Sequence, residues 1–186
     1  MVATKTTVAN FTTHVYFNLA GQETGTILDQ KVRILAEQFT PTDATSIPTG
    51  EILPVEGTPM DFREFKEIGR EIGASYDQLI MAKGYDHNWV LDGYDGSLRL
   101  VAEAVDEKTG IGVEVYTDLP GVQFYTGNYI DGTRPGKGGA KYQERAGYCF
   151  ETQYYPDAVN HPQFPSPILP EGKEYHTVTV YKFTVR

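Results

Sequence analysis

Leu98-Arg99-Leu100-Val101-Ala102-Glu103-Ala104-Val105 and Ile111-Gly112-Val113-Glu114-Val115-Tyr116 are the stretches whose reading decides the fold. In the first, Leu98, Leu100, Ala102 and Ala104 alternate with Arg99, Val101, Glu103 and Val105. In the second, Ile111, Val113 and Val115 face away from Glu114 and Tyr116. Successive side chains of a strand point to opposite faces, so a period of two marks strands with one face on a core. Val32, Ile34 and Ala36 repeat the pattern against Arg33, Leu35 and Glu37. The closing run Thr177-Val178-Thr179-Val180-Tyr181-Lys182-Phe183-Thr184-Val185 is rich in β-branched and aromatic residues. With 19 Gly and 11 Pro to punctuate short strands, the pattern predicts an all-β, antiparallel chain that ends as a sandwich or barrel.

One short helix is expected. Asp61 followed by Glu64 resembles a capping box, and Phe62, Phe65, Ile68 and Ile72 recur near helical spacing. Loops are expected at Pro41–Pro48, Pro120-Gly121 and Gly132–Gly139. No repeat, low-complexity tract or linker divides the 186 residues, which suffice for one domain or part of a larger one.

The bulk composition excludes several classes. A net charge of −9 disfavours nucleic acid and anionic membranes as partners, since both are polyanions. Cys149 is the one cysteine, so neither an intrachain disulfide nor a thiolate cluster is expected. No apolar run approaches the roughly 20 residues that span a bilayer. The opening Met1-Val2-Ala3-Thr4-Lys5-Thr6-Thr7 lacks a secretory leader, so a cytoplasmic location is expected.

Four segments carry side chains able to do chemistry. Thr12–Gly21 reads as a strand entering a turn, with His14, Tyr16 and Asn18 on one face and Val15, Phe17 and Leu19 in the core. That polar and aromatic face suits a sugar; a structural histidine beside exposed polar groups fits the spacing equally. Gly84-Tyr85-Asp86-His87-Asn88-Trp89 puts an acid, an imidazole and the sole tryptophan together, although an Asp-x-Asn turn would look the same. The histidines at 14, 87, 161 and 176 lack HExxH-type spacing, so no metal site is expected. In Gly147–Gln153 alternation sets Tyr148, Phe150 and Thr152 against Cys149, Glu151 and Gln153. Glu151 amid aromatics would be partly desolvated, which raises a carboxyl pKa toward the range of a general base. An exposed strand glutamate is the other reading. Pro120–Asn128 reads as a turn and a strand with Gln123 and Tyr125 on one side, either a sugar contact or ordinary strand surface.

Taken in order, Thr-His-Val-Tyr-Phe-Asn-Leu-Ala-Gly (13–21), Ile47–Glu51, Thr58–Arg63, Gly84–Asn88, Pro120–Asn128 and Glu151-Thr152-Gln153 resemble the aldose 1-epimerase family. The resemblance runs on through Tyr155–Asn160 to the Tyr175 and Phe183 region and covers essentially the whole chain. It implies a large antiparallel β-sandwich of the galactose mutarotase type, present in part. It also implies an isomerase that interconverts the α and β anomers of hexoses such as glucose and galactose without a cofactor. By resemblance Glu151 is the base and His14 the acid, and both are catalytic. Asp86 and Gln123 would bind sugar hydroxyls, with Tyr16 beside them.

The chain departs from the family's pattern in two ways. Thr13 stands where the family usually has Asn before the acid histidine. Residues 1–186 also correspond to the C-terminal half alone. The N-terminal half, which supplies an arginine and a second histidine to the sugar site, has no counterpart in this sequence. Strands missing from a sandwich leave apolar faces and sheet edges bare, so self-association or completion by the missing half is expected, with weak activity of the chain alone. A carbohydrate-binding sandwich that no longer catalyses is the alternative function.

Overall fold

The computed structural model describes residues 1–186. Its strands are β1 (Thr7–Val8), β2 (Lys31–Ile34), β3 (Gln38–Thr40), β4 (Leu53–Pro54), β5 (Lys66–Glu67), β6 (Asp86–Val90), β7 (Arg99–Val105), β8 (Ile111–Thr117), β9 (Gly121–Tyr125), β10 (Cys149–Gln153), β11 (Ile168–Leu169) and β12 (Thr179–Val185). One α-helix, α1 (Asp77–Ala82), and three 3-10 turns complete it. No helix is long and apolar enough to cross a membrane.

Two five-stranded sheets, ordered β10-β9-β6-β3-β4 and β12-β8-β7-β2-β5, are antiparallel throughout. Phe39, Trp89, Phe124 and Phe150 of the first share one core with Val32, Ile34, Val113 and Val115 of the second. This is the predicted antiparallel sandwich. Phe124 lies stacked on Phe150 with ring centroids 5.4 Å apart, and Phe62 meets Phe124 edge-on at 5.4 Å. Each such pair adds about 0.5–1.5 kcal/mol beyond the area it buries. The short β1–β11 pair stands apart over its own cluster of Ala3, Ala9 and Leu169.

Four readings need correction. Residues 61–72 form no α-helix. Asp61 Oδ1 accepts from the Arg63 backbone N–H (3.1 Å) and the carboxylate pairs with the Arg63 guanidinium, which makes a local turn. Phe62 lends its carbonyl to Ile34 N–H, and Lys66–Glu67 pair with β2. Pairing with a neighbouring strand therefore outweighs helical periodicity here. The helix falls at α1, too short to show a period, and ends on Lys83 in the left-handed region (φ 57°). Second, the turn at Leu19–Ala20 forms but the strand before it does not: only Phe17 bridges Tyr148, and Val15 is 45% exposed while Phe17 and Leu19 are buried. Third, a register shift between Leu100 and Ala102 buries both Val101 and Ala102, so strict alternation fails across that bulge. Fourth, the alternative of an Asp-x-Asn turn left open at residues 86–88 drops out, since they lie in β6.

Candidate active site

Strands β10, β9 and β6 lie side by side, and their register builds a polar patch. Cys149 lies opposite Tyr125, which lies opposite Asp86; Glu151 lies opposite Gln123, which lies opposite Asn88. Residues directly opposite on paired strands share a face. Two carboxyls, two amides, a phenol and a thiol thus stand together, while Phe150, Phe124 and Trp89 hold the other face in the core.

Hydrogen bonds tie the patch together. Gln123 Nε2 donates to Asp86 Oδ1 at 2.8 Å, and Gln153 Nε2 donates to Gln123 Oε1 at 3.2 Å and to Asn88 Oδ1 at 3.3 Å. Gln123 is therefore held at both ends, and Asp86 is aimed by it.

His14 arrives from a segment far away in sequence. Phe17 and Tyr148 exchange backbone hydrogen bonds (2.7 and 3.0 Å) on one side of it. On the other, Thr13 Oγ1 lies 2.7 Å from Tyr181 OH. So anchored, the imidazole brings Nε2 to 3.6 Å from Glu151 Oε1 and Nδ1 to 3.3 Å from Cys149 Sγ. The Tyr16 ring lies 4.9 Å from His14 and 6.1 Å from Tyr125, and Tyr125 is 5.8 Å from His14. Thr13, where the resemblance implies Asn, serves as one of the anchors.

The environment tunes the acids. Burial raises the Glu151 carboxyl, His14 draws it back and Asp86 pushes it up again. Burial likewise raises Asp86, against the Gln123 hydrogen bond and the nearby His14. The Cys149 thiol is pushed up by burial and then by Glu151 and Asp86, so at neutral pH it stays protonated. Burial, followed by Cys149 and Tyr125, raises the Tyr16 phenol. The desolvation expected at Glu151 is present.

All five residues singled out in the sequence, Glu151, His14, Asp86, Gln123 and Tyr16, meet in this one patch. His87 does not: it turns into the core, fully buried, with Nε2 unpartnered. Asn18, which alternation set beside His14, bonds Gly25, Ala146, Ala20 and Gln30 and so braces a turn. Sequence reading raised Tyr125 only as the neighbour of Gln123 and passed over Gln153 and Cys149 as site members, although alternation already set these two beside Glu151. His14, Cys149 and Glu151 each offer a donor atom within 4.8 Å of the other two. A zinc-like cation takes imidazole and carboxylate, but it takes cysteine as the thiolate, which the burial of Cys149 opposes.

A sequence profile of the aldose 1-epimerase family matches residues 1–182. The chain belongs to the aldose 1-epimerase family. It is 47% identical over 183 residues to galactose mutarotase from Bos taurus, covering 98% of this chain and 52% of that protein. It is 38% identical over 176 residues to aldose 1-epimerase from Escherichia coli K12, covering 94% and 50%. The chain thus spans about half the length of the curated relatives it matches. Solved structures of aldose epimerases share the fold. A homologue from C. elegans superposes with a TM-score of 0.84 at 27% identity, over 99% of this chain and 54% of that one. A galactose 1-epimerase from Lactobacillus acidophilus gives 0.81 at 27% identity, over 99% and 51%.

Proposed function

We propose that this chain carries the acid/base pair of an aldose 1-epimerase and interconverts the α and β anomers of hexoses such as glucose and galactose. The observation that carries the reading is the 3.6 Å approach of His14 to Glu151 on a face shared with Asp86 and Gln123. Anomer exchange needs one base and one acid near a single carbon, because the anomeric hydroxyl and the ring oxygen are both bonded to C1. Glu151 takes the O1 proton, the O1–H electron pair forms the C1=O bond, and the C1–O5 bond breaks. O5 takes a proton from the His14 imidazolium. Rotation about C1–C2 turns the aldehyde over. Neutral His14 then removes the O5 proton as O5 attacks C1, and Glu151 returns a proton to O1, so both groups end as they began.

Asp86 and Gln123 would bind the sugar's other hydroxyls, and Tyr16 would lie along the ring. A partly desolvated Glu151 makes a stronger base than a solvated carboxylate would. No step calls for a cofactor or a metal, and neither nucleic acid nor a membrane is a partner in this reading. A cytoplasmic location belongs to the same reading, and a single cysteine is compatible with that reducing compartment.

Polarimetry of freshly dissolved α-D-glucose and α-D-galactose tests the proposal. We expect decay faster than the spontaneous rate, with the protein-dependent part lost in Glu151→Gln. A Glu151→Gln variant that keeps full turnover would falsify the assignment.

A further inference from the structure

A single hydroxyl, that of Tyr181 on β12, bridges the two segments that deliver His14 and Glu151. Its O–H donates to Phe150 O at 2.7 Å, and its oxygen lies 2.7 Å from Thr13 Oγ1. A carbonyl can only accept, so the one phenol proton is spent on Phe150 and Thr13 donates to Tyr181. The bonds thus run in one direction, from Thr13 through Tyr181 to Phe150. Thr13 immediately precedes His14, and Phe150 immediately precedes Glu151. Burial raises the Tyr181 phenol, which therefore keeps at neutral pH the proton it donates.

His14 has little else to hold it. Residues 12–16 make no backbone–backbone hydrogen bond. The flanking backbone is tied down at Phe17, with Tyr148, and at Phe11, whose N–H donates to Tyr175 OH at 3.3 Å. Thr13 is exposed, the His14 side chain is 50% exposed, and the hydrogen-bond partner of the ring is the Cys149 sulfur, a weak one. Tyr181, by contrast, is fixed. Its ring packs on the main core 5.1 Å from Phe17, and Phe150 is fully buried. The Thr13 bond therefore moors a loosely held segment to a rigid one.

We propose that, given the acid/base reading of His14 and Glu151, Tyr181 is a positioning residue whose hydroxyl sets the separation of that pair. Both groups must reach oxygens bonded to one carbon, so a small displacement of the His14 segment costs rate. It leaves untouched the sugar contacts that this reading gives to Asp86 on β6 and Gln123 on β9. A second side-chain bond between β10 and β12, Thr152 with Thr179, does not reach the His14 segment and supplies the control.

The first readout needs no turnover. In the unsubstituted chain, Glu151→Gln removes the carboxylate beside the imidazole and should shift the His14 ring signals in ¹H–¹⁵N NMR spectra. That response should shrink about twofold or more in Tyr181→Phe, and also in Thr13→Val, which removes the other end of the same bond at an exposed position. Thr13→Ser keeps a hydroxyl and should keep the response. Anomer exchange measured across galactose concentrations then separates kcat from KM. Tyr181→Phe and Thr13→Val should each lower kcat about 10- to 100-fold at unchanged KM, and the double variant should fall no further than Tyr181→Phe alone. Thr179→Val should change neither constant. A ring that ignores Glu151→Gln in the unsubstituted chain, an undiminished response in both variants, a loss that appears in KM, or an equal loss in Thr179→Val would each overturn the proposal. A chain that shows the ring response without turnover counts against the proposed reaction, and the tether then stands or falls on that response.

Discussion

Strands β10 and β12 occupy the same place in their sheets, each the outermost strand, but they have opposite surroundings. β10 is buried along most of its length, with its core residues under Phe124 and Phe17 and its outer row under His14 and Tyr125. β12 is half-buried at best, and its inner face runs out beyond the core. Similar alternating sequences therefore give two edges with different work. The covered edge can hold a carboxylate in place and desolvate it. The bare one still contributes Tyr181, which holds Thr13 beside His14. The geometry of the proposed acid/base pair therefore rests mainly on the first edge and is steadied by the second.

Truncation at each edge should separate the two most widely. Phe150→Ala removes a fully buried ring and should cost about 3–5 kcal/mol, whereas Phe183→Ala should stay within about 1 kcal/mol. Urea denaturation of the two variants reads the difference. Equal losses would mean that β12 is as well packed as β10.

Next in size is a pH effect from the core beneath the site. Burial pushes the His87 pKa down to about 4. The unfolded chain, with its imidazole near 6.5, therefore binds that proton more tightly. Stability from this residue is whole above about pH 6.5 and is lost as the pH falls toward 4, up to about 3 kcal/mol. His87→Phe should flatten that part of the stability profile, as measured by thermal melts between pH 7 and pH 4. An unchanged slope would place the titration elsewhere.

A smaller effect is expected at the sugar contacts. Asp86→Asn keeps the shape but weakens hydrogen bonds to hydroxyls, and should lower hexose affinity roughly tenfold, since a charged hydrogen bond contributes about 1.5–3 kcal/mol. Titration by NMR would show it, and undiminished affinity would remove Asp86 from the site. Smallest of all is the cost of the base itself. The Glu151 carboxyl is raised by burial, so its charged form is disfavoured in the fold, and stability is lost as the pH rises through its titration. Glu151→Gln should then melt slightly higher than the unsubstituted chain at pH 7. A lower melting temperature would mean that the charge is a structural asset.

How much of this was legible without coordinates varies by residue. Val113, Val115, Phe150 and Glu151 fall on the faces that alternation assigns them, because their strands are regular and paired on at least one side. Val101 breaks the rule, since one inserted residue in a bulge rephases the strand and nothing local announces it. The helix was misplaced because Phe62 and Lys66 find partners on β2, 28 and 34 residues away in sequence. The meeting of His14 with Glu151 spans 137 positions, and no local period encodes it; only the resemblance of ordered motifs brought the two together. Tyr125 and Gln153 were within reach of alternation, once Gln123 and Glu151 were known to matter.

Magnetisation-transfer NMR of glucose anomers would decide between catalysis and mere sugar binding, with the chain compared to Glu151→Gln, His14→Gln and the double variant. An acid and a base that act as one unit lose their function together. Each single variant should lower the protein-dependent exchange rate by about 10²–10⁴-fold, and the double variant should be no worse than the poorer single. Exchange in Glu151→Gln equal to that of the unsubstituted chain would contradict the account.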